Sequence, residues 1–150
     1  MVANGDGVIS IGSIRVTPTA PGLFAANGDG KGVAAGVALR VLPDGSQSYQ
    51  ELAVYDPDRR EYVAAPLDLS SGEVYLVLFG TGLRGAGAGS ISLKAGGQDV
   101  PLTYAGAQGA FAGVDQINAR LPRDLSVKGE LDVVLTVDGG AANTVKVAVK

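Results

Sequence analysis

The chain has 150 residues, 46% hydrophobic and 18% charged, with 12 basic and 15 acidic side chains and a net charge of −3. That length suits one domain, the apolar content excludes a disordered chain, and the acidic balance gives no basic footprint for nucleic acid. There is no Cys and no His, which removes disulfides, thiol nucleophiles, His-dependent triads and the commonest zinc and haem ligands.

Glycine is abundant, with 23 residues, and sits in clusters between β-branched runs, where it punctuates strands as turns. No stretch carries the stripe of an amphipathic helix, so an all-β chain is predicted. Val8 to Val16 reads as a first strand, stopped by Pro18 and Pro21, which lack ladder donors. Val33 to Leu42 is a second apolar run, ended by Pro43-Asp44-Gly45. Glu51 to Tyr55 and Glu61 to Ala65 read as a hairpin, with Pro57 at the second position of a type I turn. Val74 to Phe79 is apolar on both parities and predicts a central strand buried on both faces. Ser90 to Ala95 alternates cleanly and turns at Gly96-Gly97 into Val100 to Tyr104. Val114 to Leu121, Glu130 to Val137 and Thr144 to Val149 complete the set, the last two joined at Asp138-Gly139-Gly140.

About ten short strands with closely spaced turns predict a β-sandwich. Within a single unit of residues 1–150, residues 72–150 read as a self-contained module and residues 8–70 as N-terminal strands added to it. No apolar run reaches the roughly 18 residues of a membrane-spanning helix, so no membrane insertion is expected. Residues Met1 to Asp6 carry neither the basic nor the apolar region of a signal peptide.

Two sets of residues carry a family likeness. The run Val74-Tyr75-Leu76-Val77-Leu78-Phe79-Gly80-Thr81-Gly82-Leu83 resembles the opening strand and Gly-x-Gly turn of TIG/IPT immunoglobulin-like domains. Lys94 to Val100 and Leu135 to Gly140 fit the same pattern. Ala20-Pro21-Gly22-Leu23-Phe24, Gly32-Val33-Ala34-Ala35, Tyr104-Ala105-Gly106-Ala107 and Val114-Asp115-Gln116-Ile117-Asn118 span nearly the whole chain. In that order they resemble an uncharacterised C-terminal domain of large secreted proteins of Acidobacteria, Solibacter among them. The resemblance implies an immunoglobulin-like β-sandwich for residues 72–150 and a secreted or cell-surface location. It implies no activity.

Asp115 to Arg120 is the most unusual strand. Gln116, Asn118 and Arg120 share one face, and a row of two amides and a guanidinium suits sugar hydroxyls or a partner's edge strand. The plain alternative is a solvated outer face, with Asp115 accepting N–H bonds from a turn. Tyr49, Tyr55 and Tyr62 fall in or near the predicted hairpin, as an aromatic platform or as cross-strand pairs that hold it together. The absence of Trp weighs against a glycan ligand.

Asn4-Gly5-Asp6-Gly7 and Asn27-Gly28-Asp29-Gly30 have the look of the middle of an EF-hand loop. Val2 and Ser13, or Ala25 and Gly36, would then stand where the key carboxylates belong, so both read as Asx-Gly turns. No cofactor is expected. Calcium shared between separate loops stays open, with Asp29, Asp44, Asp56 and Asp58 as the acids. Gly80-Thr81-Gly82-Leu83-Arg84-Gly85 lacks the Lys-Ser/Thr and the helix of a phosphate loop. A Lys–Asn isopeptide bond would draw on Lys94 or Lys146, Asn118 or Asn143, and Asp115 or Glu130, and the spacing selects none of them.

Paired carboxylates are the catalytic option left, and no long loop set accompanies them to form a cleft. With the extracellular location that the resemblance implies, the expectation is a non-catalytic binding module, for adhesion or polysaccharide attachment, whose partner is an extracellular protein or carbohydrate. The alternatives are a C-terminal sorting or anchoring module and a structural subunit that self-associates through edge strands.

Overall fold

Alternation of aliphatic and polar side chains decides where strands form and which way each face turns. The computed structural model describes every residue except 1, 4, 15, 88 and 126–128. In chain order the strands are β1 (Val2–Ala3), β2 (Ile9–Ser10), β3 (Gly22–Leu23), β4 (Gly36–Val41), β5 (Gln47–Glu51), β6 (Ala53–Asp56), β7 (Glu61–Ala64) and β8 (Pro66–Leu67). They continue with β9 (Glu73–Thr81), β10 (Ile91–Ala95), β11 (Gln98–Asp99), β12 (Leu102–Ala107), β13 (Asp115–Leu121), β14 (Gly129–Val137), β15 (Gly140–Ala141) and β16 (Val145–Val149). No helix occurs among the described residues.

The first sheet runs β12-β13-β9-β4-β5, with β3 pairing the far end of β9. The second runs β11-β10-β14-β16-β8, with β15 on β14. All pairs are antiparallel except β16 with β8. The inner faces follow from the two-residue period. Val74, Leu76 and Leu78 of β9 and Ile117, Ala119 and Leu121 of β13 turn inward from the first sheet. Leu131, Val133, Leu135 and Val137 of β14 and Val145, Val147 and Val149 of β16 do so from the second. All belong to one buried cluster, so the protein is a two-layer β-sandwich.

Residues 22–67 are threaded through both layers. They supply β3, β4 and β5 to the first sheet and β8 to the second. Between them, Ala34 N–H donates to the Lys146 carbonyl of β16, while the carbonyl of the next residue, Ala35, accepts the Phe79 N–H of β9. Two adjacent residues thus tie the two sheets together.

Three differences from the sequence reading are informative. Among the described residues of Val8 to Val16, the strand is Ile9–Ser10, and it pairs with Val2–Ala3 rather than with either sheet. Ile11, Ile14 and Val16 stay exposed, because β-branched residues make a strand only where an edge runs alongside to pair it. β9 is central, as its composition predicted, but only one face is fully buried; Tyr75, Val77 and Phe79 on the other are half-buried. β5 escaped the reading because it is polar at nearly every position and forms only through its ladder with β4.

Gly82 lies at φ +83°, and a Cβ there would stand 2.0 Å from the Ala20 carbonyl oxygen. The Ala20 N–H donates to the Gly82 carbonyl, so the two segments touch backbone to backbone. Left-handed strain and overpacking together predict that Gly82→Ala costs about 3 kcal/mol. The urea midpoint measures this, and an unchanged midpoint would show that the contact yields freely.

Candidate functional site

Rings are absent from the buried core, which consists of Leu, Val, Ile and Ala. Most of the rings meet instead on the outer face of the first sheet. In β9 the residues alternating with the core positions are Glu73, Tyr75, Val77 and Phe79. The register carries this face sideways: Arg120 opposes Tyr75, which opposes Leu39, which opposes Tyr49. Asn118 opposes Val77, Gln116 opposes Phe79, and Tyr104 lies opposite Asn118 at the border. Directly opposed residues of antiparallel strands share a face, with Cβ atoms about 5 Å apart. Phe24 follows the buried Leu23, is itself exposed, and lies beside Phe79, to whose carbonyl its N–H donates. A shallow depression of about 240 Å³ at the centre is lined by Leu39, Val41, Tyr75, Val77, Thr103 and Asn118.

Glu73 links the rings to the polar row. Its Oε2 accepts from the Tyr75 hydroxyl at 2.6 Å and its Oε1 from Arg120 Nη1 at 3.1 Å. The Tyr75 bond, helped by the Arg120 charge, holds the Glu73 carboxyl below the ordinary glutamate value. The same bond pushes the Tyr75 hydroxyl above the usual tyrosine value. Gln116 Nε2 donates to Asn118 Oδ1 at 2.8 Å, which fixes both amides in one orientation.

The structure brings Gln116, Asn118, Arg120 and Tyr49 to one surface, but not Tyr55 and Tyr62. Those two oppose each other across the β6–β7 hairpin, with ring centroids 5.5 Å apart and planes at 69°. This edge-to-face pair braces the hairpin, though both rings remain exposed. Asn27 docks the hairpin on the body: its Oδ1 accepts the Tyr62 N–H at 2.7 Å, and its Nδ2 donates to the Tyr62 carbonyl at 3.0 Å.

The remaining candidates have structural partners. Asp115, only 1% exposed, accepts the Leu83 N–H at 2.9 Å and Arg84 Nε at 2.7 Å. The Gly80-Thr81-Gly82 turn therefore leads into a loop held by the chain's own carboxylate, where a phosphate loop would bind an external anion. Asp29, Asp44 and Asp56 accept N–H groups two residues on, as Asx turns do. Asn4 lies outside the described residues, among which no three metal-ligating groups cluster. Asn143 exchanges hydrogen bonds with both backbone groups of Leu23 and also donates to Gly30. Lys94 pairs with Asp99, and Lys146 with Glu130 and Asp132, all exposed. The buried acid thus faces an arginine, and Lys94 and Lys146 pair with other acids instead. A larger cleft of about 500 Å³, beside Leu83, Ile91 and Ala105, has Arg84 as its one charged lining residue among the described residues, and Asp115 already holds that guanidinium.

The sequence reading missed Glu73, Tyr75, Phe79 and Leu39 as members of the face. A signal was present in β9, where the larger ring-bearing residues occupy one parity and Leu the other. No protein-family model matches the chain, and neither does any curated protein or any solved structure.

Two predictions follow from these contacts. Asp115→Ala would leave a buried Leu83 N–H unpaired and release Arg84, and is expected to cost about 3 kcal/mol by urea denaturation; a loss below about 1 kcal/mol would show that water replaces the carboxylate. Because Glu73 is held below its ordinary value, the Tyr75–Glu73–Arg120 link is intact at neutral pH and is lost as pH falls through that lowered value. Tyr75→Phe should raise the Glu73 midpoint toward the ordinary value in an NMR titration of its carboxyl. An unmoved midpoint would assign the shift to Arg120 alone.

Proposed function

We propose that the protein is a non-catalytic binding module with an immunoglobulin-like sandwich, from a secreted or cell-surface protein, and that the outer face of the first sheet is its ligand surface. The observation that carries this reading is the placement of the rings. Phe24, Tyr49, Tyr75, Phe79 and Tyr104 lie together beside Gln116, Asn118 and Arg120, while the core holds no ring at all. Burying an aromatic side chain is worth about 1.5–3 kcal/mol to a fold, so rings held at a surface are a cost that a ligand can offset.

The chemistry of the face suits an extended chain. Rings stack on the apolar face of a sugar, while amides and a guanidinium bond its hydroxyls. The shallow depression crosses several strands, which favours a polymer laid over the sheet above an enclosed small molecule. The secreted or surface location rests on the resemblance to the C-terminal domain of secreted acidobacterial proteins.

The test is a pull-down of the purified chain on a panel of insoluble cell-wall and plant polysaccharides, with and without calcium. Retention is expected on at least one, abolished both in Gln116→Ala/Asn118→Ala/Arg120→Ala and in Tyr75→Ala/Tyr104→Ala. No retention of the parent chain, or equal retention of the variants, would refute a polysaccharide ligand on this face.

A further inference from the structure

Among the described residues, none pairs the border of the first sheet at β5. In the β4–β5 ladder, Leu42 N–H donates to the Ser46 carbonyl and Leu52 N–H to the Gly36 carbonyl. With the observed register, Ser48 and Gln50 are then the residues that exchange bonds with β4. The N–H and C=O groups of Gln47, Tyr49 and Glu51 point away from the sheet. All five residues of β5 are exposed, Tyr49 at 68%. The strand carries no Pro, Lys or bulge of the kind that commonly guards an edge.

We infer that β5 pairs antiparallel with β5 of a second copy of this chain, about a two-fold axis at Tyr49. The sequence Gln47-Ser48-Tyr49-Gln50-Glu51 is self-complementary in that register. Tyr49 meets its own copy, Ser48 meets Gln50, and Gln47 meets Glu51 twice, an amide donor against a carboxylate. The outward-pointing groups fall in the hydrogen-bonded phase and supply about six interchain backbone bonds. Centring the axis on Ser48 or Gln50 keeps that phase but leaves one end of the strand unmatched and forms about four such bonds within it. The two first sheets join into one, which sets both outer faces side by side. The pairing does not depend on what those faces bind.

Sedimentation equilibrium from about 1 μM to about 1 mM tests the inference. A concentration-dependent dimer is expected. Gln47→Lys places a cation opposite Glu51 and should tighten the dimer about tenfold, and Gln47→Glu should weaken it about tenfold. Tyr49→Pro removes an N–H that β4 does not use and should give a monomer with the parent far-UV circular dichroism. A parent chain that stays monomeric at about 1 mM overturns the inference. So does a dimer indifferent to the charge at Gln47, whether or not the proline variant folds.

Discussion

The space between the two sheets is filled by Leu, Val, Ile and Ala. Packed sheets lie about 10 Å apart, and side chains of this size interdigitate at that distance from both faces without a ring to span the gap. Leu76, Ile117, Leu135 and Val147, each essentially without exposure, set the spacing at the centre. No ring takes part in that packing, and all eight Tyr and Phe side chains lie outside the buried cluster.

Two carboxylates illustrate how burial changes what an ion pair does. Asp115 sits at the start of β13 with almost no water contact, and its two oxygens are divided between the Leu83 N–H and the Arg84 guanidinium. A buried acid so satisfied fixes the loop after β9, and its loss leaves polar groups stranded. Glu73 makes contacts of similar length on the surface, where solvent screens them. Its effect is orientation: Tyr75 and Arg120 are held in one arrangement on the outer face.

The sandwich was legible in the sequence because its main strands are local patterns. β9, β13, β14 and β16 alternate or run apolar over five residues or more, and glycine turns bound them. The hairpin β6–β7 was visible for the same reason, with Pro57 marking its turn. What stayed hidden depends on partners distant in the chain. β5 has no apolar period of its own, and Val8 to Val16 has a strand's composition, yet among its described residues the strand is Ile9–Ser10, paired with Val2–Ala3 outside both large sheets. The ligand face was half visible: the Gln116, Asn118 and Arg120 row is local, but its junction with Tyr75, Leu39 and Tyr49 is made by register between strands far apart in sequence. Tyr49, Tyr55 and Tyr62 look like one group along the chain, yet the buried Leu52 between β5 and β6 sends the hairpin away from the sheet that carries Tyr49.

A core without rings also makes the interior optically quiet. The chain has no Trp, and its Tyr and Phe lie outside the buried cluster. Near-ultraviolet circular dichroism and intrinsic fluorescence therefore report the outer face and the hairpin, where Tyr75 and the Tyr55–Tyr62 pair are held. A change in those signals, ordinarily used to tell a native state from a molten globule, would here leave the packing of the aliphatic interior unseen. The order of this interior is carried by methyl groups, and methyl resonances are where it can be seen.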